Sequence, residues 1–278
     1  MNLGIRAHDI ENETITDLAQ KLAERDIHTI QFALKKSIKE WNISTASLNT
    51  GLAKTVANTL KNSQVDIAVL GCYINMIHPD PTEREQALDY FKAHIRLARD
   101  FNCSIVGSET GNVHAEMGYT TDNFTEEAFE KVVESVKLLV EEAERFGVIV
   151  GIEGGVNHPI YSPKMMKRLI DKVKSNHLQV ILDPVNYLTI ENHQDQTSII
   201  DEAFDLFEER IMIIHAKDFV KQDNQIKVVP VGHGELDYHY LLKKIKSTKP
   251  MIPILLEETK EPHLSKSMQY LFDIDQTI

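Results

Sequence analysis

Cysteine is nearly missing from this 278-residue chain, with Cys72 and Cys103 as its only two. They show neither the close spacing of a zinc site nor a redox pair, which leaves two buried structural thiols in a reducing cytoplasm as the expectation. No apolar run approaches the roughly 20 residues of a membrane span. The start, Met1-Asn2-Leu3-Gly4-Ile5-Arg6, lacks the basic stretch and apolar segment of a signal peptide. Basic residues are also scarce: 30 Lys and Arg stand against 42 Asp and Glu, for a formal charge of -12. That balance argues against the clustered cations that grip nucleic acid. A dinucleotide-binding fold carries Gly-x-Gly-x-x-Gly just after its first strand. Here the first apolar run leads into Ala7-His8-Asp9-Ile10, without a glycine. The expected partner is a small molecule, with neither nucleic acid nor membrane involved.

What the chain does have is alternation. Hydrophobic residues make up 42% of it, enough for a sizeable core, and they fall in short runs separated by longer amphipathic segments. The runs predict strands beginning at Leu3, Thr29, Ile67, Ser104, Val148, Gln179, Met212 and Ile252. The clearest helix is expected from Thr125 to Phe146, with Val132, Val136, Leu139, Val140 and Ala143 on one face. Asp80-Pro81-Thr82-Glu83 and Ser162-Pro163-Lys164 read as helix starts, each a capping side chain followed by proline at the first helical position. Strands alternating with helices imply parallel pairing through right-handed crossovers. Eight repeats predict an α/β fold, a closed (β/α)₈ barrel forming a single domain over residues 1–278, with an open doubly wound sheet as the alternative. No linker or shift in composition divides the chain.

Four of the runs end on a group able to bind a metal. Glu153 follows Val148-Ile149-Val150-Gly151-Ile152, and Asp183 follows Leu178-Gln179-Val180-Ile181-Leu182. His215 follows Ile211-Met212-Ile213-Ile214, and Glu257 follows Ile252-Pro253-Ile254-Leu255-Leu256. One acid after a strand is usually a helix cap or a loop residue. Four at the ends of parallel neighbours converge on one side of a barrel, where carboxylates repel unless a cation joins them. A buried ion-pair network is the competing reading, and Lys217 is the only cation nearby in the sequence to support it. Glu258 competes with Glu257, since strand alternation lets only one of the two face inward.

Ile152-Glu153-Gly154-Gly155, Leu182-Asp183-Pro184-Val185-Asn186, Ile214-His215-Ala216-Lys217-Asp218 and Leu256-Glu257-Glu258 together resemble the xylose isomerase-like barrel superfamily. The likeness is to its sugar phosphate isomerase/epimerase branch, which holds ketose 3-epimerases, inosose-processing enzymes and hydroxypyruvate isomerase. It implies one divalent metal ion (Mn, Mg, Co or Zn) on Glu153, Asp183, His215 and Glu257, with Glu153 and Glu257 also serving as acid and base. It implies a small sugar-like substrate and allows a homo-oligomer. The superfamily also contains a DNA-repair endonuclease with extra zinc-binding histidines. This chain has Asn186 at one such position and Val231-Gly232-His233-Gly234 where an Asp and His pair is expected, so it departs from that branch.

Further residues are candidates for substrate contact. Tyr73 and Glu109 follow the third and fourth strands, and His158 and Asn186 follow Glu153 and Asp183. Lys217 could meet a phosphate or enolate oxygen, or form a structural salt bridge in the loop of Asp218. His233 lies in a Gly-x-Gly turn resembling the one this family places after its seventh strand. Arg6, His8, Gln31 and His78 also sit in loops or strand ends that set specificity in barrels. The expected chemistry is isomerisation or epimerisation of a keto-sugar. The alternatives are a dehydratase of a keto-inositol-type substrate and a non-catalytic sugar-binding barrel.

Overall fold

Eight parallel strands close on themselves in the computed structural model, which describes residues 1–38, 41 and 43–278. In chain order they are β1 (Asn2–Arg6), β2 (Thr29–Phe32), β3 (Asp66–Gly71), β4 (Ile105–Glu109), β5 (Ile149–Glu153), β6 (Leu178–Leu182), β7 (Ile211–Ala216) and β10 (Pro253–Leu256). Between β7 and β10 lies a separate antiparallel hairpin of β8 (Asp218–Gln222) and β9 (Gln225–Val229). Around the barrel run α1 (Ile15–Ala23), α2 (Leu34–Ser37), α3 (Thr50–Asn62), α4 (Pro81–Leu97), α5 (Glu126–Phe146), α6 (Pro163–Val173), α7 (Gln196–Phe207), α8 (Tyr238–Thr248) and α9 (Leu264–Thr277). β10 pairs with both β1 and β7, closing the ring. The open-sheet alternative is therefore ruled out. Each barrel strand begins within one residue of its predicted start.

The helix signals do what their chemistry requires. The Asp80 carboxylate accepts from the backbone N–H groups of Thr82 and Glu83 at 2.8 and 3.2 Å. Ser162 Oγ accepts from Met165 N at 3.3 Å. Thr125 caps α5 through Ala128 N, and α5 buries Val132, Val136, Leu139, Val140 and Ala143 against the sheet as expected. Cys72 and Cys103 are free and buried. Burial raises both thiols, Cys103 to about 11, which keeps them protonated and inert.

The hairpin was not among the eight expected strands. Its signal was present in the chain: Asp223 and Asn224 have φ of 53° and 58°. Two residues with positive φ make the tight turn whose twist matches a hairpin, and Asp and Asn tolerate it better than most.

Two layers of apolar side chains result. The larger lies between strands and helices. The smaller, Val69, Ile105, Ile181, Ile213 and Leu255, forms its own cluster. A Cβ on Gly107 of β4 would lie 2.6 Å from Ile181 of β6 and 2.9 Å from Val69 of β3. The contact between β4 and β6, which are not neighbours in the ring, places these side chains inside the barrel, and the glycine makes room for Ile181. This inner filling is the floor on which the site sits.

Candidate metal centre and active site

Strand alternation builds the site from that floor. Side chains two apart share a face. Ile181, Ile213 and Leu255 point inward, so Asp183, His215 and Glu257 do as well, one layer nearer the C-terminal end. A Cβ on Gly151 would meet the inward side chain of Ile181 on the neighbouring β6 at 3.2 Å, and two residues on stands Glu153. The strands run in the order β5, β6, β7, β10 around the ring. Glu153 and Glu257 therefore end a four-strand arc, with Asp183 and His215 between them. One ligand atom from each of the four lies within 4.8 Å of the others, and all four residues are buried. Glu258 breaks the strand at φ 50° and is exposed.

Each oxygen and nitrogen has a defined setting. Glu153 Oε1 accepts from Asn186 Nδ2 at 2.7 Å. Asp183 Oδ1 accepts from the backbone of Val185 at 2.9 Å, while Asp183 Oδ2 is buried and makes no hydrogen bond. His215 Nε2 donates to Gln31 Oε1 at 2.7 Å, and the Gln31 amide in turn donates to the Tyr73 hydroxyl. With the proton on Nε2, the Nδ1 lone pair faces Glu153 Oε2 at 3.1 Å and Glu257 Oε1 at 3.4 Å. Nδ1 too lacks a hydrogen-bond partner.

A lone pair aimed at two carboxylates is repulsive unless a positive charge lies between them. A proton can supply that charge: burial lowers the His215 pKa, but Glu153 and Glu257 outweigh it and hold it near 9. A divalent cation can supply it as well, with three carboxylate oxygens and one imidazole nitrogen as its donors. The second partner on each ligand, Gln31 on His215 and Asn186 on Glu153, is the support that orients metal ligands elsewhere. The residues fit a bound metal.

Two cations share this space. Lys217 Nζ lies 3.1 Å from both Asp183 Oδ2 and Glu257 Oε2. It reaches into the cluster and leaves Asp218 to other partners. The second is Arg6, which its place in the chain alone does not set beside the acids. Arg6 donates to Asp9 at 2.9 and 3.1 Å, to Glu257 Oε1 at 3.3 Å and to Glu258 at 2.7 Å. Burial opposes ionisation of Glu257, but Lys217, His215 and Arg6 prevail and hold its carboxyl below the usual range. Asp183 moves the other way, raised by burial against the pull of Lys217.

Above the cluster opens a cavity of about 430 Å³, lined by Tyr73, Glu109, His158, Asn186 and Lys217 together with Arg6, Lys36, Glu257 and Glu258. Five of the expected substrate contacts are thus brought to one mouth. Glu109 pairs in register with Glu153, and the buried His158 bonds Gly111 O through Nδ1 at 2.9 Å. The sixth, His233, is not in this lining. It is exposed, with Nε2 3.2 Å from Nδ1 of His263. Its turn is explained by Asp218, whose buried carboxylate accepts from the backbone of Phe219, Gly232, Gly234 and Leu236 at 2.9 to 3.0 Å. A Cβ on Gly234 would lie 2.3 Å from that carboxylate. The Gly-x-Gly turn therefore wraps an aspartate, away from the mouth. The hairpin contributes Ile226 and Val228 to the cavity wall.

A family model described as xylose isomerase-like TIM barrel matches residues 13–274. The chain belongs to this family. Among solved structures, a D-tagatose 3-epimerase-like protein shares 17% identity over 100% of this chain and 98% of its own, with a TM-score of 0.78. The probable 3-DHS dehydratase AsbF from Bacillus anthracis shares 14% identity, covering 98% and 99%, at 0.74. A xylose isomerase-like barrel protein from Mycobacterium smegmatis, in complex with magnesium, shares 12% identity, covering 94% and 88%, at 0.70. At these identities the likeness is one of fold. No curated protein matches the chain significantly in sequence. Among the described residues of this xylose isomerase-like barrel, no helix is long and apolar enough to cross a membrane.

Proposed function

We propose that the chain is a divalent-metal-dependent isomerase or epimerase acting on a small keto-sugar, sugar phosphate or related polyol. The observation that carries this reading is the pair of glutamates at the ends of one arc, each supported by its own partners, around an imidazole nitrogen without a hydrogen-bond partner and an Asp183 oxygen faced by the Lys217 ammonium. The fold shared with a D-tagatose 3-epimerase-like protein agrees with it.

Glu153, Asp183, His215 and Glu257 would hold the metal. When bound, a divalent ion supplies Lewis acidity toward a carbonyl oxygen and a template for the neighbouring hydroxyl. The chain's own residues supply the rest. One of Glu153 and Glu257, as a carboxylate, removes the proton from the carbon beside the carbonyl, and the other, entering the step protonated, gives its proton to the opposite face. Asn186 holds Glu153 in orientation, and Arg6 and Lys217 do the same for Glu257, keeping it ionised. Lys217 also presents an ammonium toward the oxygen on which negative charge develops. The hairpin side chains Ile226 and Val228 limit access of water to the mouth.

The test is metal-dependent incorporation of solvent deuterium at the carbon beside the carbonyl, across a panel of ketoses and their phosphates. Exchange with conserved mass supports isomerisation or epimerisation. Loss of one water from the product assigns a dehydratase instead. A metal that binds and stabilises but supports no exchange on any ketose points to a non-catalytic sugar-binding barrel.

A further inference from the structure

A second cavity, of about 440 Å³, opens beside the mouth cavity, and Lys36 lines both. Its wall comes from the loop after β1 (His8 to Asn12), from α1 and the turn that follows it (Lys21 and Arg25) and from the segment after β10 (Lys260 and Glu261). Most of these charges are already matched. Asp9 takes two hydrogen bonds from Arg6, Glu261 accepts from Arg25 at 3.1 Å, and Lys21 donates to Asp17 at 2.8 Å. Among the described residues, Lys36 and Lys260 remain, against Glu11. Lys260 Nζ lies 3.9 Å from Asp9 Oδ1, a long ion pair beyond hydrogen-bond reach to a carboxylate already shared with Arg6. Lys36 Nζ sits 4.0 Å over the Tyr73 ring, a contact that occupies none of its three donors on an oxygen.

His8 stands between these groups, edge-on to Tyr73 at 6.3 Å. Burial, then Arg6 and Lys36, push its pKa down to about 3, so the ring is neutral. Its Nδ1 is buried without a hydrogen-bond partner, the mark of a polar set that is incomplete. A chain with a net charge of -12 repels anions at long range, so two ammonium groups lining one chamber, with Lys36 also at the lip of the mouth cavity, are a local exception.

We propose that this side chamber receives an anionic group, a phosphate ester or a carboxylate, at the far end of a sugar whose carbonyl end lies over the acidic cluster, with Lys36 as the anchor at the junction and Lys260 as the second cation. The placement of the sugar rests on the proton-transfer reading above. The anion site itself does not. The chemistry suits lysine: an ammonium acts as a point charge that follows a mobile terminal anion, where arginine would impose a fixed fork.

The experiment has two arms on the metal-loaded enzyme. In the first, inorganic phosphate is titrated by calorimetry into wild type, Lys36→Gln and Lys260→Gln. Binding that weakens at least tenfold in Lys36→Gln, less in Lys260→Gln, and falls with added salt supports the site. Equal affinity in all three proteins, or no binding to wild type, overturns it. In the second, a ketohexose, its 6-phosphate and the corresponding keto-hexuronate are compared for deuterium exchange. A kcat/KM at least tenfold higher for one anionic form, with the advantage lost in Lys36→Gln, supports the proposal and identifies the anion. Equal or better turnover of the neutral sugar overturns it while leaving the proton-transfer reading intact. Lys36-dependent phosphate binding without exchange on any sugar keeps the anion site and removes the epimerase.

Discussion

The two halves of the barrel do different work. The second half, β5 to β10, supplies all four groups of the acidic cluster, each on the strand's end or directly after it. Asn186 and Lys217 support it from the same half, and the first half adds a second set of partners: Arg6 on Glu257, Gln31 on His215, and Tyr73 beside both Gln31 and Lys36. One half places charge where the fold's geometry fixes it, and the other tunes that charge and shapes the mouth. The difference shows how a barrel can keep one reaction centre while its opposite rim decides what enters.

The largest effect should come from the second half. Glu257→Gln removes a general acid or base, worth on the order of 10²–10⁴-fold. Deuterium exchange should fall by about that factor while the circular dichroism spectrum is preserved. Unchanged exchange would take Glu257 out of the reaction.

The second-half cluster was legible in the sequence because two periods coincide there. Alternation within each strand and recurrence of the strand-helix unit together fix where an acid points. Asp183 directly follows the apolar run Leu178 to Leu182, and the parallel pairing implied by the repeating unit puts it at the same end of the barrel as the other three. Arg6 was named in the sequence, yet nothing there brings it to Glu257, 251 residues away; only closure of β1 onto β10 does so. His233 is the opposite case, named as a candidate in the sequence and placed outside the lining of the mouth. Its Gly-x-Gly turn looked like a site, but the glycines are required by the buried Asp218 carboxylate. The hairpin went unread because Asp223-Asn224 is a weaker turn signal than Asn-Gly, and its strands carry polar residues on an exposed face.

Next in size is that Asp218. Asp218→Ala strips the acceptor from four backbone N–H groups, and an unsatisfied buried donor costs about 1–3 kcal/mol. Some will find water, so a loss of roughly 3 kcal/mol is expected by urea unfolding, with the hairpin and the 231–236 turn losing hydrogen-exchange protection first. A change within about 0.5 kcal/mol would contradict the clasp.

The first half is tested by Gln31→Leu. Loss of the partner that fixes the His215 tautomer should weaken metal affinity about 10–100-fold, read by competition with a chelating dye. Equal affinity would mean the first half does not tune the cluster, and the comparison between the halves would fail. The smallest effect belongs to the hairpin: Val228→Ser should raise KM a few-fold with little change in kcat, because it alters the wall and leaves the reacting groups in place.

The central claim is that one divalent cation belongs among Glu153, Asp183, His215 and Glu257, and thermal unfolding with matched metal analysis tests it most directly. With free metal about a hundredfold above Kd, linkage contributes about 2.7 kcal/mol. For a chain of this size that predicts one equivalent of metal per chain and a midpoint roughly 5–10 °C above that in chelator, a difference lost in Asp183→Ala. Substoichiometric metal with the same midpoint in metal and in chelator would contradict the account.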